Sequence, residues 1–262
     1  MLDESFCRTA IEAARAAGAV LQEWAHKFTV REKGPANLVT EADFAAQSTI
    51  VDLVRSRFPD HGFLAEEEGL DESSPNQPYR WIIDPLDGTS NYVHRFPYYA
   101  VSIGLAHQGQ IVLGVIYDPN RDELFVAERD RGAWLNGQTI RPSLVTALSQ
   151  AFVVASLPSA IGARDPAVLR LLRVLPHAQS LQRTGSAALN LAYVACGRMD
   201  AFWSNSLKPW DVAAGSLLVT EAGGLMTRMN GDAFDPMLPD LLATNGSAVH
   251  QELQDLLAPG ND

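Results

Sequence analysis

The sequence predicts an α+β fold in which layers of helix and sheet alternate. Three observations carry this expectation. Residues 3–27 and 40–58 have the apolar spacing of two helices, and from Trp81 to Gly137 the chain reads as an antiparallel meander. Beyond about residue 146, short apolar strands are separated by helical stretches. No internal repeat, low-complexity tract or linker interrupts residues 1–262, which are therefore read as one unit with lobes at about 1–145 and 146–262.

In the first helical stretch Phe6, Ala10, Ala13, Ala17, Val20, Leu21 and Trp24 recur near a 3.6-residue period. Residues 28–39, with Gly34-Pro35, read as strand or loop. Thr40 followed by Asp43 matches a helix cap with an acid in the first turn, and Pro59 stops that helix after Phe58. Phe63-Leu64-Ala65 is a short strand running into Glu66-Glu67-Glu68, by default a solvated turn, and residues 70–79 read as an exposed loop. Strands are expected over Tyr98–His107, Ile111–Tyr117 and Glu123–Glu128, and Asn136-Gly137 is a strong hairpin dipeptide.

In the second half, Ala151–Ser156, Ser180–Arg183, Ala201–Trp203, Leu225–Arg228 and Leu241–Thr244 read as strands. Helices are expected over Pro166–Leu175, from Gly185-Ser186 to Ala195, over Val212–Ala222 with Asp211 opening it, and over Ser247–Leu257. Gly223-Gly224 stops the third of these.

Composition sets outer bounds. Hydrophobic residues make up 47% of the chain and charged ones 19%, which is globular. No apolar run approaches the roughly 20 residues of a spanning helix, and the N-terminal residues lack the pattern of a signal peptide. Cys7 and Cys196 form neither a disulfide framework nor a metal-site spacing, so a reducing, cytoplasmic setting is expected. A net charge of −11 argues against a nucleic-acid surface.

The organising stretch is Trp81-Ile82-Ile83-Asp84-Pro85-Leu86-Asp87-Gly88-Thr89-Ser90-Asn91. A buried strand is expected to end at Ile83 and give way to a sharp turn, because Pro fixes φ and Gly permits φ > 0. Thr89 and Ser90 are suited to cap a following helix. Two carboxylates and the Leu86 carbonyl are ligands for a hard divalent cation, and the Gly88 and Thr89 amides suit a phosphate. The spacing differs from Asp-x-Asp-Gly-Thr, so Asp84 is not the nucleophile of an aspartyl-phosphate scheme. Alone, the stretch reads as a polar turn between strands; alone, Asp43 is a dipole partner and Asp211 a helix cap.

Together these residues resemble the inositol monophosphatase family. Trp81 to Tyr92 matches its first signature, and Trp210-Asp211-Val212-Ala213-Ala214-Gly215, continuing to Glu221-Ala222-Gly223-Gly224, matches its second. Phe63-Leu64-Ala65-Glu66-Glu67 and Leu38-Val39-Thr40-Glu41-Ala42-Asp43 match the elements before them, in family order. The resemblance implies the layered α/β/α/β/α sugar-phosphatase architecture and a Mg²⁺-dependent, lithium-sensitive phosphomonoesterase working as a homodimer. It implies two or three Mg²⁺ ions. The first would be held by Glu66, Asp84 and the Leu86 carbonyl, and the second by Asp84, Asp87 and Asp211. Asp43 would orient a water or help a weaker third ion.

On the same resemblance Glu66 and Thr89 would position and deprotonate the attacking water. Asp87, Gly88, Thr89, Arg183, Ala187 and Asp211 would contact a small phosphorylated polyol, with inositol 1-phosphate the first candidate. The chemistry itself asks for such a set: a phosphate ester dianion repels its nucleophile, and two cations about 3.5–4 Å apart can neutralise charge and activate water. No His-x-x-x-His or Cys-x-x-Cys spacing points to zinc.

Ser204 stands where many relatives place a glutamate against the ring hydroxyls, which keeps histidinol phosphate, fructose 1,6-bisphosphate and nucleotide phosphates open as substrates. A non-catalytic binding relative is the other alternative. Lys33 receives no role, because it lies closer to Pro35 than its family counterpart does, and His94 and Arg95 are read as packing or dimer-contact residues.

Overall fold

The computed structural model describes residues 3–34, 37–67, 70–72, 77–158, 160–238 and 240–258. Glu68, Pro35 and the Lys33 side chain lie outside the described set, as do residues 73–76 of the expected loop. The first half comprises α1 (Glu4–Trp24), β1 (Val30–Gly34), β2 (Asn37–Thr40), α2 (Glu41–Arg57), β3 (Gly62–Ala65), β4 (Asp71–Glu72), β5 (Tyr79–Asp87) and α3 (Thr89–Val93). It continues with β6 (Ala100–His107), β7 (Gln110–Asp118), β8 (Glu123–Glu128), β9 (Gly132–Leu135) and β10 (Gln138–Thr139). The second half comprises β11 (Phe152–Ala155), α4 (Pro166–Val174), β12 (Ser180–Gln182), α5 (Ala187–Ala195) and β13 (Ala201–Ser204). It ends with α6 (Pro209–Ala222), β14 (Leu225–Thr227), β15 (Leu241–Thr244) and α7 (Val249–Leu257).

Five layers result. An eight-stranded sheet runs β10-β9-β8-β7-β6-β5-β3-β4, and a five-stranded sheet runs β12-β11-β13-β15-β14. Helices α1 and α2 cover one face of the larger sheet, burying Phe6, Leu21, Ile50 and Val54 against Trp81, Ile83 and Ile103. Helices α5 and α6 fill the space between the sheets, where Leu189, Leu191, Leu217 and Leu218 meet Ile82, Ile116, Phe125 and Phe202. Helices α4 and α7 cover the outer face of the smaller sheet through Val174, Leu253 and Leu257. The layered α+β architecture expected from the sequence is the one observed. Among the described residues no helix is long and apolar enough to cross a membrane.

The meander from β5 to β10 is antiparallel throughout, whereas β3 pairs with β5 in parallel. In the smaller sheet β12, β11 and β13 are parallel, and β15 is antiparallel to both β13 and β14. The Asn136-Gly137 turn has φ of 48° and 78°, the left-handed pair that a two-residue hairpin demands.

Four local readings shift. Residues 70–79 are not all loop, because Asp71–Glu72 pairs with β3 as a two-residue edge. β5 continues to Asp87, with the register broken between Asp84 and Asp87. Proline has no N–H to give a ladder, so the strand bulges there and does not end. The cap of α3 is Gly88, not Thr89 or Ser90. Helix α6 begins at Pro209, two residues before Asp211, because a proline at the first helical position loses no hydrogen bond.

Candidate active site

The site is assembled where β3 and β5 end and α6 begins. The bulge in β5 turns Asp84 and Asp87 toward the layer between the sheets, while Asp211 arrives from the third position of α6. That helix lies unusually close to the sheet. A Cβ on Gly114 would stand 2.5 Å from Ala214 O, so glycine on β7 and alanine on α6 are what let Asp211 reach β5. The Ser102 hydroxyl, 3.3 Å from Trp210 O, fixes the start of the helix from the sheet side.

One carboxylate oxygen from each of Asp84, Asp87 and Asp211 lies within 4.8 Å of the other two. Asp84 and Asp87 are buried and Asp211 half-buried. Each acid has protein donors on a named oxygen. Asp84 Oδ1 accepts from the Leu86 amide at 3.0 Å, and Asp211 Oδ2 from the Lys208 amide at 2.7 Å. Asp87 Oδ2 accepts from the Ser186 hydroxyl and the Ala188 amide, both at 2.6 Å.

These donors fall short of what three neighbouring carboxylates need. Burial, and then the negative charges of Glu66, Asp87 and Asp211, hold Asp84 well above the ordinary carboxylate range. Burial pushes Asp87 up to about 6 against the pull of Ser186 and the Ala188 and Ala187 amides. Burial and the Asp87 charge push Asp211 up to about 8. Glu66, half-buried beyond the end of β3, is close enough to act on both Asp84 and Asp211.

Gly88 has φ of 106°, and a side chain there would also crowd Tyr98 O at 3.1 Å. Its left-handed turn brings Thr89 back over the bulge, with Thr89 Oγ1 3.2 Å from both Asp43 Oδ1 and Leu86 O. Asp43 is held from its other oxygen by the Thr40 amide at 2.8 Å and the Thr40 hydroxyl at 2.7 Å. The capping reading of Asp43 is therefore realised on one oxygen, while the other meets Thr89.

Of the residues expected from the sequence, Asp43, Glu66, Asp84, Leu86, Asp87, Gly88, Thr89 and Asp211 are gathered here. Ala187 comes less far: its side chain is buried between the sheets and its amide is turned toward Asp87. Arg183 is exposed beside Ser90 and Asn91, lining an adjoining cavity. Ser204 is fully buried in β13, and its hydroxyl faces the Ser206 amide at 3.4 Å, so no hydroxyl is presented at that position. Ser186, Ala188 and Lys208 were not singled out as anchors for the acids. A serine opening a helix just after the Gly185 turn was the available signal.

A layered α+β scaffold of this kind, with an acidic centre set between its two sheets, is that of a phosphoric monoester hydrolase. The chain belongs to the inositol monophosphatase family, whose profile matches residues 2–260. It is 40% identical over 258 residues to the inositol-1-monophosphatase of Synechocystis sp., covering 97% of this chain and 89% of that protein. It is 38% identical over 251 residues to the Nus factor SuhB of Escherichia coli strain K12, covering 94% of each. The crystal structure of extragenic suppressor protein suhB from Bartonella henselae superposes with a TM-score of 0.92 at 37% identity, over 98% of this chain and 99% of that one.

Proposed function

We propose that the protein is a Mg²⁺-dependent phosphomonoesterase for small polyol phosphates, with inositol 1-phosphate the first candidate. The observation that carries this is the convergence of Asp84, Asp87 and Asp211 within 4.8 Å. Their donors are all oxygen, and burial with mutual repulsion leaves negative charge that only a cation or protons can balance. Such a set suits a hard ion such as Mg²⁺. Glu66, Asp84 and the Leu86 carbonyl would hold one ion, and Asp84, Asp87 and Asp211 a second. When bound, such ions supply charge neutralisation and lower the pKa of water.

The rest is the work of the chain. Glu66 accepts a proton from the attacking water as its oxygen bonds to phosphorus and the ester P–O bond breaks. Asp43 holds the Thr89 hydroxyl so that its lone pairs face that water. The Gly88 and Thr89 amides donate to phosphate oxygens, and the departing alkoxide takes a proton from solvent. The family-wide homodimer and a cytoplasmic setting belong to the same reading.

The test is phosphate release from inositol 1-phosphate, histidinol phosphate, fructose 1,6-bisphosphate and a 2′(3′)-phosphonucleotide, each with EDTA, with Mg²⁺, and with Mg²⁺ plus Li⁺. Mg²⁺-dependent, Li⁺-inhibited release is expected, with inositol 1-phosphate turned over. Turnover undiminished by EDTA would sink the metal reading, and preference for another ester would move the substrate but leave the chemistry standing.

A further inference from the structure

Helix α6 carries Asp211 in its first turn and Glu221 in its last. At 1.5 Å per residue the two stand about 15 Å apart along the axis. The helix is apolar all round and buried from Val212 to Val219. Where it comes closest to its neighbours the contacts are small. Ala213 and Ala214 lie against Gly104 and Gly114, and a Cβ on Gly215 would stand 2.5 Å from Leu191. Interlocking ridges fix one element along another, and contacts this flat supply few of them. The sheet therefore sets how close α6 lies, and the ends of the helix must set how far along its axis Asp211 stands.

The hold at the first end is slight, a Ser102 hydroxyl 3.3 Å from Trp210 O. At the far end Glu221 reaches to the turn between β8 and β9. Its Oε1 accepts from the Asp130 amide at 2.9 Å and its Oε2 from the Gly132 amide at 3.0 Å. An ionised carboxylate taking two backbone amides is a stronger tie than a neutral side chain would make.

The turn is built without this tie. Glu128 pairs with Gly132 across the hairpin, and the Arg131 amide donates to Glu128 O at 3.0 Å. The two bonds therefore anchor the helix to the sheet, not the hairpin to itself. Glu221 also lines two cavities, one of about 540 Å³ shared with Gly132 and Gly223 and one of about 320 Å³ shared with Arg129 and Thr220. Its half-buried side chain is held by these hydrogen bonds more than by packing.

We infer that Glu221 is a positioning residue: its clamp on the Asp130 and Gly132 amides fixes the axial position of α6, and so holds Asp211 where a cation shared with Asp84 and Asp87 requires it. A helix is a rigid element, so a shift at one end is carried to the other. The inference rests on the reading of those three acids as metal ligands and adds an anchor at the opposite end of the helix.

The experiment titrates Mg²⁺ into the wild type, Glu221→Ala, Glu221→Gln, Glu221→Asp and Asp165→Ala, by calorimetry and by initial rates of phosphate release. Glu221→Ala should weaken the more weakly held ion by roughly tenfold, in calorimetric Kd and in half-activating Mg²⁺ alike, the scale of losing a residue behind a metal ligand. Its kcat at saturating Mg²⁺ should stay within about threefold of wild type, because the ion then draws Asp211 into place. Glu221→Gln keeps one acceptor oxygen and should recover part of the affinity. Glu221→Asp keeps the charge but is one methylene short, and should recover none. Asp165→Ala strips the Ala167 amide of its acceptor at the start of α4, in the outer layer. It should lower the melting temperature and leave Mg²⁺ affinity unchanged.

Wild-type Mg²⁺ affinity in a folded Glu221→Ala protein overturns the inference. So does an equal loss of affinity in Asp165→Ala at a matched fall in melting temperature, or recovery by Glu221→Asp as full as by Glu221→Gln. If Glu221→Ala does not fold, the order of Gln over Asp decides. Mg²⁺ binding without phosphate release removes the phosphatase reading, and the calorimetry still decides the clamp. A wild type that binds no Mg²⁺ removes the metal reading and the inference with it.

Discussion

Two regions of this protein bury aspartates, and they do so in opposite ways. Asp118, fully buried at the end of β7, accepts from the Asn120 and Arg121 amides at 2.8 and 3.3 Å and from the Arg121 guanidinium at 2.9 Å. Asp200, buried just before β13, accepts from the Phe152 amide at 2.6 Å and from the Ser143 hydroxyl. Both are surrounded by donors and act as pins for backbone. Asp84, Asp87 and Asp211 are surrounded by one another. Burial of an acid is thus not in itself a sign of function; burial beside other acids, with too few donors, is. The first kind stabilises the fold, and the second is stabilised only when something positive arrives.

That contrast gives variants of opposite sign. Asp87→Asn removes charge from the cluster and keeps the shape, so the protein should fold. Its kcat/KM should fall by about two to three orders of magnitude, the scale of losing a key electrostatic group, with most Mg²⁺ affinity at the second ion lost as well. Rates and Mg²⁺ titration calorimetry check this, and near-normal turnover by a folded Asp87→Asn protein would dissolve the distinction between the two regions.

Asp200→Ala should do the reverse. It strands the Phe152 amide and the Ser143 hydroxyl, lowering stability by about 1–3 kcal/mol in urea unfolding, while rates per folded molecule change little. Loss of activity in Asp200→Ala without loss of stability would show that this pin is coupled to the site.

The distinction between pins and cluster was only partly legible in the sequence. Asp84, Asp87, Asp211 and Glu66 could be picked out because ordered motifs carry them, and the layers could be read because apolar periods of 3.6 and 2 differ along the chain. The Gly104 and Gly114 pair on β6 and β7 could not be linked to Ala213 and Ala214, since that close approach exists only once α6 is laid on the sheet. The same holds for the donors to Asp87, which come from residues 99 and 101 positions away.

Asp211 was expected to open its helix, and Pro209 moved it two residues inward. In the sequence Ser204 is only the replacement of a glutamate; its burial, set by the pairing of β13 with β15 in the register Ser204↔Leu241, emerges from the sheet alone. Strand direction in the smaller sheet decides where a cavity can form, and nothing local in Ala151–Ser156 or Ser180–Arg183 encodes that β11 and β12 are parallel.

The smallest expected effect separates the two regions without chemistry. Asp87 and Asp211, ordinarily near 3.8, are pushed up to about 6 and about 8 in the folded, metal-free protein. A carboxylate with a raised folded pKa binds more protons folded than unfolded between those values, so its contribution to stability is greatest below about 4 and is lost as pH rises toward 8. In EDTA, the wild type should therefore lose melting temperature from pH 5 to pH 8 relative to Asp87→Asn, in which one titrating group is gone and repulsion on Asp84 and Asp211 is relieved.

His61 and His250, whose pKa values burial lowers, act in the other direction, destabilising the fold as pH falls below about 6.5; taking the difference between the two proteins cancels them. Mg²⁺ should erase the wild-type loss at pH 8, because an ion held by the ionised carboxylates competes with their protons. A wild type whose melting temperature in EDTA tracks that of Asp87→Asn across this range would mean that the cluster carries no excess charge, and that its acids are pins like Asp118 and Asp200.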